Sequence, residues 1–129
     1  MKGPETAVNK TIPEHEDEKN AQNAVRILVI EDETVLRENM SAYLEDCGYT
    51  VYTAGDGLEG LSLFRKHHPD IVLTDLRMPV MNGEEVIYEI TAISMVTPVI
   101  VVSGTGDISD AVKAMRLGAW DYILKPIHD

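Results

Sequence analysis

The chain has 129 residues, enough for one hydrophobic core and too few for two of ordinary size. Its 22 Asp and Glu outnumber 11 Lys and Arg, giving a formal net charge of -11 that repels nucleic acid and anionic lipid and argues against direct DNA binding. The single Cys47 rules out an internal disulfide, and there is no long apolar run or signal-peptide pattern, so a cytoplasmic protein without membrane contact is expected.

Residues 1–24, "MKGPETAVNKTIPEHEDEKNAQNA", hold two prolines and dense charge without apolar periodicity, and are expected to form a flexible acidic tail in which His15 is simply solvated. The folded part begins at Val25. Val25 to Ile30 reads as an apolar strand broken only by Arg26, and it runs straight into Glu31, Asp32 and Glu33. Val35 to Asp46 places Leu36, Met40, Tyr43, Leu44 and Cys47 at helical spacing, with Gly48 as the stop. "YTVYTA" (49–54) follows as a strand with Val51 as its expected core member. "DGLEGLSLFRKH" then offers Leu58, Leu61 and Phe64 on one helical face, Asp56 and Gly57 serving as turn and helix start.

The third strand, "DIVLTD" (70–75), ends on Asp75. Met81 to Ile93 is a helix carrying Val86, Ile87 and Ile90, and "TPVIVVSG" (97–104) is a strand reaching Ser103. Ile108 to Leu117 is a helix closed by Gly118, and "WDYILK" (120–125) is the fifth strand. Apolar strands alternating with helices predict an α/β fold, a parallel sheet covered on both faces. Right-handed crossovers then make every strand point the same way. The residues just past the strand ends collect on one edge: Glu31 and Asp32, Asp75, Ser103 and Lys125.

Two or three carboxylates side by side repel one another unless protonated or bridged by a cation. Oxygen ligands without Cys or His suit Mg²⁺, which takes phosphate oxygens as further ligands. Lys125 adds a point charge and Ser103 a donor for phosphoryl oxygens, so the set reads as a Mg²⁺-assisted phosphoryl site. Each residue alone has a plainer reading. Glu31, Asp32 and Glu33 suit a helix N-terminus, Asp75 a turn, Lys125 a solvated strand end and Ser103 a loop.

From Val25 to His128 the chain resembles the receiver domain of two-component response regulators, through "ILVIEDE", "PDIVLTDLRMPVMNG", "VIVVSGTG" and "GAWDYILKP" in that order. The resemblance implies a doubly wound, flavodoxin-like sheet of five parallel strands in the order 2-1-3-4-5, with residues 25–129 as the receiver domain. It places the phosphoacceptor at Asp75 and the metal ligands at Asp32 and Asp75, with Glu31 acting through water and Arg77 through its backbone carbonyl. Ser103 and Lys125 contact the phosphoryl group, and the Lys125–Pro126 bond is cis. Ser103 and Tyr122 form the switch, although Tyr122 also suits a half-buried strand position on propensity alone. Trp120 is a packing residue or covers an interface.

The implied activity is self-phosphorylation and slow autodephosphorylation at Asp75, without turnover of a metabolite. The implied partners are a sensor histidine kinase or histidine phosphotransfer protein and an output domain on the same full-length chain. Glu31 stands where Asp is more frequent, Gly104 leaves the pocket open, and Arg77 and Thr105 flank its entrance. The chain stops three residues after Pro126, so the fifth helix is expected to be truncated, exposing a flank that a homodimer would cover. The alternative function is a degenerate receiver that binds protein without phosphorylation. A haloacid dehalogenase type of hydrolase calls for an aspartate where Arg77 stands, and no G-x-G-x-x-G follows the first strand to suggest a dinucleotide enzyme.

Overall fold

Five short runs rich in Val, Ile and Thr form strands because branched side chains pack well on a pleated surface and poorly against a helical turn. The computed structural model describes residues 23–126. In chain order they form β1 (Arg26–Ile30), α1 (Thr34–Asp46), β2 (Thr50–Ala54), α2 (Gly57–His67), β3 (Ile71–Thr74), α3 (Gly83–Ile93), β4 (Val99–Ser103), α4 (Ile108–Leu117) and β5 (Asp121–Leu124). All strand pairs are parallel and the order is β2-β1-β3-β4-β5. The chain order reverses beside β1, so the loops leaving β1 and β3 diverge and open a crevice at their carboxyl ends.

Local chemistry sets the helix ends. Asp56 caps α2 by accepting the Glu59 N–H at 2.8 Å. Asn82 and Glu85 form a reciprocal capping box on α3, with bonds of 3.0 and 3.1 Å, so this helix begins at Gly83 rather than at Met81. Asp107 caps α4 and Gly118, at φ +121°, ends it in a conformation that disfavours side chains.

The main core lies between the sheet and α2, α3 and α4, which contact one another in succession. Leu28 and Ile30 of β1, Val72 of β3 and Val99 and Val101 of β4 meet Leu61, Phe64, Val86, Ile87, Ile90 and Ala114 there, all at 4 % exposure or less. Ile27, Val29 and Val102 are buried outside this cluster. From Ile27 to Ile30 β1 is therefore apolar, because that stretch is covered on both sides.

Cover by α1 reaches only part of the sheet. Its chief contacts are with β1 and β2, and no residue of α1 is buried. Ile71, Leu73 and Ile100 are half-buried, and Ile123 and Leu124 of β5 are exposed. Among the described residues there is no fifth helix over this flank.

Several core expectations need correction. Val51 is half-buried and Ala54 is the buried member of β2, because β2 is an edge strand whose only neighbour is β1 and whose first four residues are only partly covered. Leu58 is exposed, and α2 presents Gly57, Gly60, Leu61 and Phe64 inward instead. Tyr43 and Cys47 of the α1 segment are exposed, as is Trp120. Residues 1–22, including His15 and most of the expected tail, and residues 127–129 lie outside the described residues.

Candidate phosphoryl-accepting site

The strands deliver their terminal residues to one edge, as the parallel topology requires. Glu31 follows β1 and is only 2 % exposed, held by its N–H to the Ala54 carbonyl at 3.0 Å. Asp75 follows β3, is 7 % exposed, and donates its N–H to the Ile30 carbonyl at 3.0 Å. Lys125 follows β5, with its N–H on the Ser103 carbonyl at 2.8 Å. The backbone ladder thus fixes all three.

The Lys125 ammonium lies 2.9 Å from Glu31 Oε1 and 2.9 Å from Asp75 Oδ2, bridging the two carboxylates. The other oxygen of each is also engaged: Glu31 Oε2 accepts the Glu33 N–H at 3.0 Å and Asp75 Oδ1 accepts the Leu76 N–H at 2.7 Å. Asp32 stands exposed beside them, and one carboxylate oxygen from each of Glu31, Asp32 and Asp75 lies within 4.8 Å of the others. The Lys125–Pro126 bond is cis.

Charge and burial oppose each other here. Burial raises the Glu31 pKa, only partly offset by the Lys125 hydrogen bond and the Glu33 N–H, while the Asp75 charge raises it further. Burial alone would lower the Lys125 pKa, but its hydrogen bonds to Glu31 and Asp75 and their charges outweigh that and raise it. A single ammonium therefore serves two acids, with a third alongside. An all-oxygen donor set of this kind, lacking Cys and His, fits a hard divalent cation.

Ser103 is buried at 1 % exposure, and its Oγ accepts the Thr105 N–H at 3.3 Å. Tyr122 donates its hydroxyl to the Thr105 carbonyl at 2.9 Å, so it meets Ser103 through Thr105 rather than directly. The Arg77 side chain is largely exposed and pairs at 2.5 Å with Asp110 of α4, which raises its pKa.

Three contributors escaped the sequence reading. Arg37 of α1 donates to the Glu31 carbonyl at 2.7 Å. Gly83 brings the start of α3 so near that a Cβ there would sit 2.2 Å from the Asp75 carbonyl oxygen. Asp110 reads in sequence as an ordinary acid in the first turn of a helix, and its long-range pairing with Arg77 has no local signal. The loop after Asp75 also places Val80 at φ 72°, with the Met81 N–H on the Pro79 carbonyl at 2.8 Å, a three-residue turn unusual for a β-branched residue.

The family model of the response regulator receiver domain matches residues 27–129. Among curated relatives, a "Probable transcriptional regulator ycf27" of Porphyridium aerugineum is 43% identical over 101 residues, 78% of this chain and 42% of that protein. The "Regulator of RpoS" of Escherichia coli K12 is 38% identical over 104 residues, 81% of this chain and 31% of that protein. The chain thus spans less than half the length of these relatives. A crystal structure of a response regulator receiver domain protein from Clostridium thermocellum has a TM-score of 0.77 at 38% identity, covering 81% of this chain and 84% of that one. Chemotaxis protein CheY4 of Vibrio cholerae has a TM-score of 0.78 at 29% identity, covering 81% and 89%. With the strand order, the acidic edge and these likenesses in agreement, the chain belongs to the response regulator receiver domains.

Proposed function

We propose that this domain accepts a phosphoryl group on Asp75 from the phosphohistidine of a sensor histidine kinase or histidine phosphotransfer protein. The observation that carries the reading is the Lys125 ammonium set 2.9 Å from both Glu31 and Asp75 at the edge of a receiver fold. A carboxylate oxygen of Asp75 attacks phosphorus, the P–N bond to the donor imidazole breaks, and that nitrogen keeps the electron pair and takes a proton. As the acyl phosphate forms, Lys125 stays beside the phosphoryl oxygens and Ser103 donates its hydroxyl to one of them. Asp32, Asp75, the Arg77 carbonyl and, through water, Glu31 would hold Mg²⁺. When bound, Mg²⁺ supplies positive charge to the phosphoryl oxygens.

Asp75 is modified once per event, so the domain is a switch and not a turnover enzyme. Thr105, tied to Ser103 and Tyr122, relays the change in the pocket toward β5 and α4. An output domain on the same full-length protein reads that change, in keeping with the length of the relatives. A second copy on the exposed α1 and β5 flank is the homodimer reading, supported by Val35, Ile123 and Leu124 lying open to solvent. We place the protein in the cytoplasm, where the exposed, free Cys47 stays reduced. Among the described residues no helix is long and apolar enough to cross a membrane.

Incubation with Mg²⁺ and acetyl phosphate should add one phosphoryl group, labile to hydroxylamine, and Asp75→Asn should abolish it. Intact mass with and without a chelator reads the outcome. A folded protein that gains no mass would turn the assignment toward a binding module without phosphotransfer, and label mapped to Ser103 or Thr105 would refute the mechanism.

A further inference from the structure

The loops leaving β3 and β4 each send a side chain to the same carboxylate. Arg77, two residues after Asp75, donates to Asp110 Oδ2 at 2.5 Å, and Thr105, two residues after Ser103, donates its hydroxyl to that oxygen at 3.2 Å. Thr105 Oγ1 also accepts the Asp107 N–H at 3.1 Å. The Asp110 side chain is 13% exposed, whereas the Arg77 side chain is 66% exposed. Capping does not explain Asp110, since Asp107 already accepts the Ser109 N–H at 3.0 Å at the start of α4.

The charges around the pocket give this pairing a consequence. An approaching phosphodonor is an anion, and the edge it must reach carries Glu31, Asp32 and Asp75. Lys125 is committed to two of those acids, and Arg37 to the Glu31 carbonyl. Among the described residues, Arg77 is the remaining Lys or Arg of these strand-end loops, and its charge is countered by Asp110.

We propose that Arg77 is a latent recognition residue for anionic phosphodonors and that Asp110 is the positioning residue that withholds it. Exchange of the guanidinium from Asp110 to a donor phosphate draws the donor toward Asp75 and at the same time leaves the Thr105 hydroxyl alone on the Asp110 oxygen that the two had shared. The exposed guanidinium makes that exchange accessible, because water screens the pair on the arginine side. This deepens the phosphoacceptor reading and rests on it.

The test compares the full chain with Asp110→Asn, Arg77→Gln and the double variant, using Mg²⁺ and acetyl phosphate at several ionic strengths. In the reaction Asp75 forms a P–O bond as the P–O bond to the acetyl group breaks and acetate leaves. Asp110→Asn keeps an acceptor for Thr105 but removes the countercharge, and should label about five-fold faster at low salt, the gain fading as salt screens the attraction. The double variant should label no faster than Arg77→Gln alone. A gain that survives without Arg77, a gain independent of salt, or no gain would overturn the proposal. Sulfate titration followed at the Arg77 side-chain NMR signal gives a readout independent of phosphotransfer: the Asp110→Asn signal should respond at about five-fold lower sulfate than the natural chain's. Equal responses would overturn the proposal even if labelling occurs, whereas a shifted response without labelling in any variant would sink only the phosphoacceptor reading. Should Asp110→Asn not fold, Asp110→Ser provides the same loss of charge with a small acceptor retained.

Discussion

Gly83→Ala probes how the fold holds the acceptor in place. A Cβ at this position would lie 2.2 Å from the Asp75 carbonyl oxygen, 2.8 Å from Leu76 Cα and 3.1 Å from the Asp75 carbonyl carbon. All three obstacles are backbone, and ordinary contact begins at 3.4 Å, so α3 or the acceptor segment must shift by more than an ångström. The same helix start is tied to that segment by the Gly83 N–H on the Leu76 carbonyl at 2.8 Å, which leaves little room to adjust. Overpacking against backbone places the cost near the upper end of the usual range, about 3 kcal/mol. With a urea m-value of about 1.5 kcal/mol/M, the unfolding midpoint should fall by about 2 M.

Gly60→Ala is the control. Its Cβ would meet Ile30 Cδ1 at 2.4 Å and Cγ1 at 2.8 Å, obstacles that belong to a side chain and not to backbone. Replacing Gly inside a helix also contributes about 1 kcal/mol of propensity, which offsets part of an overpacking cost of about 2 kcal/mol, so the net loss should be about 1 kcal/mol, well below that of Gly83→Ala. Urea unfolding followed by circular dichroism measures both variants. A Gly83→Ala midpoint equal to that of the natural chain, or a Gly60→Ala loss as large as that of Gly83→Ala, would refute the idea that close backbone approach at Asp75 is what requires glycine.

Lys125→Met should raise the Glu31 pKa further, because the ammonium's hydrogen bond and charge are what oppose burial there; a carboxyl-carbon NMR titration reads it directly. The Lys125 pKa is itself raised on folding, so its stabilising contribution is fully present below the unfolded value of 10.5 and is lost as pH rises through the higher folded value. Stability measured up the alkaline limb should decline more steeply in the natural chain than in Lys125→Met. Asn82→Ala removes one half of the capping box on α3 and should cost about 1 kcal/mol, seen as a lower denaturation midpoint, while Asn82→Asp should largely preserve stability.

The five strands, four helices and common strand-end edge were legible because their signals are local and periodic. β1 is apolar through Ile27–Ile30, α4 ends at Gly118, and Glu31, Asp75, Ser103 and Lys125 each follow a strand by one residue or end it. A parallel sheet then needs only right-handed crossovers to bring those residues to one edge. Burial was less legible, since it depends on which neighbour covers a side chain. Leu58 and Val51 carry the right hydropathy, yet Leu58 points to solvent, and Ala54 rather than Val51 enters the core.

What the tertiary structure alone decided are the pairings between residues far apart in the chain. Lys125 bridging Glu31 and Asp75, Tyr122 reaching Thr105 instead of Ser103, and Asp110 capturing Arg77 join residues 94, 50, 17 and 33 positions apart. Composition and periodicity carry no record of such distances. A carboxylate at the start of a helix looks the same in sequence whether it faces water or a guanidinium, and only the packing of α4 against the β3 and β4 loops selects the second.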